Sequence, residues 1–168
     1  MLERFYPDYE AESAYEMDYR GLYQMGFRGI IFDIDNTLVP HGAPADQRAV
    51  ALFASLRGMG YTTLLLSNNR EPRVKSFAGQ VGSRYLFKAG KPGKEGYLKA
   101  MEQMGTDVTN TLFVGDQLFT DVWGARRVGI VSYLTRPIHP KEEIQIVLKR
   151  KLERIVLYFY HKKKSREG

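Results

Sequence analysis

Short apolar runs, separated by stretches of helical period, constrain this 168-residue chain more than any other feature. "RGIIFDID", "TTLLLS", "YLF", "TLFVGD" and "GIVSYLT" read as strands, and four of them end at or beside a polar residue. Between them, "PADQRAVALFASLRGMG" spaces Val50, Phe53, Ala54 and Leu56 as a helix does and stops at glycine. "EPRVKSFAGQVG" reads as a short helix opening near Pro72. "KEGYLKAMEQMG" reads as another, with Leu98, Met101 and Met104 as its buried stripe. Such alternation predicts an α/β fold, a Rossmann-like doubly wound parallel sheet of about five strands with crossover helices. Ligands of such sheets sit at the carboxyl ends of the strands.

The length fits a single domain over residues 1–168, with an aromatic, acidic segment at 1–27 and a basic amphipathic helix at 142–164. With 43% hydrophobic and 26% charged residues the composition is that of a globular protein. The absence of cysteine excludes disulfides, thiolate metal sites and thiol catalysis, so any metal must use oxygen or histidine ligands. His41, His139 and His161 have no metal-like spacing and read as loop or surface residues. "MLERFYPDYE" does not read as a secretory signal, and no segment has the roughly 20 apolar residues of a spanning helix, so a cytoplasmic protein is expected.

The net charge of +6 is concentrated toward the tail. There Ile144, Val147, Leu148, Leu152, Ile155, Val156, Phe159 and Tyr160 form an apolar stripe among lysines and arginines. Packing on the sheet or on a second subunit accounts for such a helix. So does peripheral contact with anionic lipid at the inner face of a membrane. The basic tail also fits a nucleic-acid or protein partner, but no nucleic-acid motif accompanies it.

Four strand ends carry the chemistry. Asp33 and Asp35 lie two apart, a spacing that puts both carboxylates on one side of an extended strand, followed by Thr37. Ser67 and Asn68 follow the second strand, and Lys91 precedes Pro92 and Gly93. Asp116 ends a later strand, with Asp121 just beyond. Paired carboxylates repel unless a cation or a proton intervenes, and strand-end aspartates plus water suit magnesium.

"DIDNT", "SN", "KP" and "GDQLFTD", in that order over residues 29–135, resemble the four motifs of haloacid dehalogenase superfamily phosphatases, subfamily IIIA. The wider pattern, with its basic apolar tail, resembles the bacterial relatives of mitochondrial phosphatidylglycerophosphate phosphatase. The resemblance implies Asp33 as nucleophile and Asp35 as proton donor and acceptor. Magnesium would be held by Asp33, Asp35 through its main-chain carbonyl, Asp116 and Asp121. Ser67 and Lys91 would bind phosphate, with Thr37 and Asn68 shaping the loop and orienting the phosphate.

The intervals between the motifs leave no room for a cap domain, so the site is expected to be open and suited to phosphate on a lipid surface or a polymer end. The implied activity is removal of the terminal phosphate of phosphatidylglycerophosphate. The alternatives are a soluble sugar phosphate or nucleotide, or a basic binding protein with incidental phosphatase activity.

Overall fold

The computed structural model describes residues 1–139 and 144–168, with side chains in the last helix described from residue 148. Its centre is a six-stranded, all-parallel sheet. In chain order the strands are β1 (Tyr9–Ala11), β2 (Gly29–Phe32), β3 (Thr62–Leu66), β4 (Arg84–Leu86), β5 (Thr111–Gly115) and β6 (Val131–Thr135), arranged 1-6-5-2-3-4. All five expected strands are present. The sixth, β1, comes from the aromatic N-terminal segment.

β1 is too short to show a period of two. Its register, Tyr9 opposite Tyr133, rests on neighbours distant in sequence. Asp8 accepts hydrogen bonds from the Ser132 amide at 2.8 Å and the Ser132 hydroxyl at 3.1 Å, and the Tyr9 and Tyr133 rings stack 5.0 Å apart. β2 and β5 are adjacent central strands, buried along their whole length, which explains their unbroken hydrophobicity.

Helices α1 (Tyr19–Gln24), α2 (Gln47–Met59), α3 (Glu71–Val81), α4 (Lys94–Met104), α5 (Trp123–Val128) and α6 (Ile144–Glu167) complete the layers. Asp46 caps α2 by accepting the Ala49 amide at 2.8 Å, and Gly60 ends it at φ 105°, a left-handed conformation that suits glycine.

Two predicted stripes are rotated by about one residue. In α2 the buried positions are Ala49, Phe53 and Leu56, while Val50 and Ala54 face solvent. In α4 Leu98 is exposed and Tyr97 is buried instead. Tyr97 wins the inward position because its ring packs on Phe113 while its hydroxyl donates to the main-chain carbonyl of Thr120 at 2.9 Å.

The predicted tail helix is present from Ile144, while its first residues, 142–143, and the side chains of Ile144 and Val147 lie outside the described residues. Its apolar stripe divides between two faces. Val156 and Tyr160 are buried against the body, whereas Leu148, Leu152, Ile155 and Phe159 are exposed. Among the described residues, no helix is long and apolar enough to cross a membrane.

Candidate active site

The carboxyl ends of β2 and β5, with the loop after β4, bring Asp33, Thr37, Lys91, Asp116 and Asp121 together. β2 stops at Phe32, so Asp33 lies just beyond the strand, where its amide still donates to the Val114 carbonyl at 3.0 Å. After β5 the chain enters a π-helical turn, Leu118–Val122, which returns Asp121 to the strand end. Gly115 permits this approach, since a Cβ there would lie 2.5 Å from an Asp121 carboxylate oxygen. Asp33, Asp116 and Asp121 each offer an oxygen within 4.8 Å of the others. All three are buried.

Lys91 joins this cluster as its counter-charge. Its Nζ lies 2.9 Å from Asp33 Oδ1 and 2.7 Å from Asp121 Oδ1, with the side chain 3% exposed. Burial opposes its ammonium form, yet Asp121 and Asp33 outweigh that and hold the lysine protonated far above neutrality. The Thr37 hydroxyl sits between Asp33 Oδ2 at 3.3 Å and Asp116 Oδ1 at 3.0 Å, so in this structure it touches carboxylates. Asn68 spends its amide on the Lys91 main chain, accepting the Lys91 N–H at 2.8 Å and donating to the Lys91 carbonyl at 3.1 Å. It is a strut for the lysine. Ser67 is buried, and its hydroxyl accepts the Asn69 amide at 3.1 Å.

The two close aspartates do not share one space. Asp35 accepts the Gly42 amide at 2.8 Å and pairs with Arg73 of α3 at 2.9 Å, away from the Asp33 cluster. The expectation of both carboxylates on one side assumed extended backbone, but β2 has ended and Asn36 takes φ 62°. Burial pushes the Asp35 carboxyl up, but the Gly42 N–H and Arg73 prevail and hold it below its ordinary value. Its carboxylate is therefore not part of the acidic cluster, and only its main-chain carbonyl remains available as a ligand.

Three groups escaped the sequence reading. Arg73 holds Asp35. Arg150, from α6, donates to the Asp116 carbonyl at 2.6 Å and forms an ion pair with its carboxylate. Glu153 is buried, pairs with Arg150 at 3.1 Å and accepts the Leu118 amide at 3.0 Å, fixing the start of the turn that carries Asp121. A signal was present in the tail: Glu153 is an acid at helical spacing from Val156 and Tyr160, on the face that becomes buried. No cap is inserted between Asp35 and Lys91, as expected. The three aspartates themselves are nearly covered, and α6 lays Arg150 against Asp116.

Burial raises the Asp116 and Asp121 carboxyls, Asp121 to about 6, and the nearby Asp33 charge adds to both, against Arg150 at Asp116 and Lys91 at Asp121. Such a buried oxygen cluster, short of positive charge, fits a hard divalent cation such as magnesium. An effect on stability follows. Above the unfolded value near 4 the folded form holds a proton on Asp121 that the unfolded form has lost, so this group's contribution to the stability of the metal-free protein falls as pH rises from about 4 through about 6. Added magnesium is therefore expected to raise the unfolding temperature more near neutrality than at about pH 5, where protons compete for the same oxygens. Equal gains at both pH values would count against the cluster as the binding site.

With this geometry in place, comparison with known proteins is direct. A family model described as haloacid dehalogenase-like hydrolase matches residues 44–129, and the chain belongs to that family. It is 32% identical over 159 residues to "Probable phosphatase YqeG" of Bacillus subtilis (strain 168), covering 94% of this chain and 92% of that protein. It is 29% identical over 160 residues to "Phosphatidylglycerophosphate phosphatase 1, chloroplastic/mitochondrial" of Arabidopsis thaliana, covering 84% of this chain and 44% of the plant protein. Among solved structures, the cobalt-bound form of the deoxy-D-mannose-octulosonate 8-phosphate phosphatase YrbI from Haemophilus influenzae superposes with a TM-score of 0.51. At 12% identity, covering 67% of this chain and 80% of that one, the likeness concerns the fold alone.

Proposed function

We propose that this chain is a magnesium-dependent phosphomonoester hydrolase that works through an aspartyl-phosphate on Asp33, with phosphatidylglycerophosphate as its substrate. The observation that carries the reading is the convergence of Asp33, Asp116, Asp121 and Lys91 in one buried cluster at the strand ends. Asp33 attacks phosphorus, forming a carboxyl–phosphate bond as the bond to the leaving alkoxide breaks. Asp35 supplies the proton to that alkoxide and then takes one from the water that releases phosphate and regenerates Asp33. The Arg73 contact favours the ionised form of Asp35, which is the form needed for the water step. Donation to the alkoxide requires Asp35 to be protonated first.

Lys91 and Ser67 stabilise the equatorial oxygens of the transferring phosphoryl group, Asn68 positions Lys91, and Thr37 orients the carboxylates. When bound by Asp33, Asp116, Asp121 and the Asp35 carbonyl, magnesium supplies charge neutralisation between nucleophile and phosphate.

The lipid substrate is supported by the plant relative's name and by the outer face of α6, where Leu148, Leu152, Ile155 and Phe159 are exposed in one stripe. On a helical period Lys149, Lys151 and Lys162 flank that stripe, an arrangement suited to an anionic bilayer surface. Phosphate release should therefore be measured with magnesium on phosphatidylglycerophosphate in mixed vesicles and on soluble phosphomonoesters, with Asp33→Asn as the blank. Preference for the lipid is expected. Preference for a soluble ester would keep the chemistry and discard the substrate.

The double variant Leu152→Glu/Phe159→Glu is expected to lower vesicle binding about tenfold or more in a flotation assay. Undiminished binding would instead make the stripe a protein contact.

A further inference from the structure

The chain that follows β5 is held from α6. Arg150 donates through Nη1 to the main-chain carbonyl of Asp116 at 2.6 Å and through Nη2 to its carboxylate Oδ2, so one guanidinium fixes both the backbone and the side chain of that residue. Oδ1 is left to the Thr37 hydroxyl at 3.0 Å, which also meets Asp33. Three residues on, Glu153 accepts the Leu118 amide at 3.0 Å through Oε1 and Arg150 Nη1 at 3.1 Å through Oε2. The pair thus grips the chain on both sides of Gln117, whose own amide donates to Asp121 Oδ2 at 3.2 Å.

A cation among Asp33, Asp116 and Asp121 needs oxygens aimed at one point, and the groups that hold the ligands set that aim. Arg150 has two opposite effects on such a cation. Its charge repels the ion and its contact occupies one oxygen of Asp116, whereas its fork keeps the other oxygen turned toward Thr37 and Asp33. The geometry favours the second effect. Arg150 lies between two carboxylates, those of Asp116 and Glu153, so its charge is offset where it stands. The Asp116 side chain is fully buried, so bulk water cannot hold Oδ2 in place of the guanidinium.

α6 is seated by other contacts further along its length. Val156 and Tyr160 are buried, the Tyr160 ring meets that of Tyr6 at 5.2 Å, and His161 Nε2 lies 2.8 Å from a Glu10 carboxylate oxygen. The seating of the helix and the order of the acids are therefore joined through Arg150 and Glu153.

We propose that Arg150 and Glu153 act as one positioning pair for the divalent cation, so that seating of the tail helix and metal binding strengthen each other. The inference rests on the magnesium part of the function proposed above and adds a regulation to it. Anything that lifts α6 weakens the metal site, and by linkage bound metal holds α6 down.

Metal binding is measured without substrate, with manganese as the probe, its free fraction counted by electron paramagnetic resonance, and magnesium as the competitor. Arg150→Gln is expected to weaken binding about tenfold or more, although it removes a positive charge beside the site. Arg150→Lys keeps the charge but has no fork to span carbonyl and carboxylate, so it too should bind more weakly than the natural protein. Arg154→Gln removes the same charge from an exposed position one turn further on and should change the affinity by less than about twofold. Hydrogen exchange gives the reciprocal readout: magnesium should slow exchange of the α6 amides in the natural protein and do so much less in Arg150→Gln.

Unchanged or tighter metal binding in Arg150→Gln, or in Arg150→Lys where the glutamine variant does not fold, overturns the positioning pair; tighter binding makes Arg150 a competitor for Asp116. Exchange in α6 that magnesium leaves unslowed in the natural protein overturns the linkage. Absence of phosphate release from every substrate, with metal binding behaving as expected, would fault the phosphatase reading and leave the pair standing. No metal binding by the natural protein would overturn both the magnesium reading and the pair.

Discussion

Asp33→Asn is expected to reduce phosphate release by on the order of 10⁴-fold or more while leaving the fold in place. The amide has the shape of the carboxylate but is not a competent nucleophile, so no covalent bond to phosphorus can form. The effect on stability is small for a specific reason. Removing Asp33 relieves the charge that presses on both Asp116 and Asp121, and it deprives Lys91 of one partner while the Asp121 contact at 2.7 Å remains. The two effects oppose each other, and the unfolding temperature should move by only a few degrees. Rapid-quench mass spectrometry should find a phosphorylated chain with the natural protein and none with the variant. Residual turnover within tenfold of the natural rate would mean that water attacks directly and that Asp33 acts only as a ligand.

The strand ends were legible because an unbroken apolar run ending on Asp, Ser or Gly-Asp reports burial and termination together. Asp33, Ser67 and Asp116 follow such runs, with Asp121 just beyond the last, whereas Lys91 lies in the loop after β4 and is marked by the order of the motifs. What depended on local backbone beyond the strand was not legible. Asp35 turns to Arg73 and Gly42 because β2 stops at Phe32, a boundary that hydrophobicity alone leaves open by a residue or two. β1 escaped because three residues carry no periodicity and its partner is at the other end of the sheet.

The tail helix divides its stripe for a different reason. A stripe at intervals of one, three and four fits one wide face as well as two narrow ones. Only contacts with the body separate Val156 and Tyr160 from Leu152 and Phe159. The same contacts bring Arg150 to Asp116 across a sequence gap that no motif spans. This coupling gives the helix a part in the acidic centre that its basic composition suggested only as surface charge.

Lys91→Met tests the electrostatics of that centre most severely. The side chain keeps most of its length and loses the ammonium that lies 2.9 Å from Asp33 and 2.7 Å from Asp121, so among the described ion pairs of the three carboxylates only that of Arg150 with Asp116 remains. Breaking one side of such a buried pair costs about 3–5 kcal/mol. In a chain of this size that corresponds to a fall of roughly 6–20 °C in unfolding temperature. Two treatments should narrow the difference. Magnesium restores positive charge to the cluster, and acid protonates the carboxyls that burial and mutual repulsion already raise, so the gap should shrink toward about pH 5. Activity should not recover with stability. Lys91 is assigned to the phosphoryl oxygens as well, and its loss should lower phosphate release by on the order of 10²–10³-fold even with saturating magnesium. Equilibrium denaturation with and without magnesium at the two pH values, beside the rate, separates these effects. An unchanged midpoint without metal at neutral pH would mean that the three carboxylates are not ionised together, and would remove the reason for a cation to bind among them.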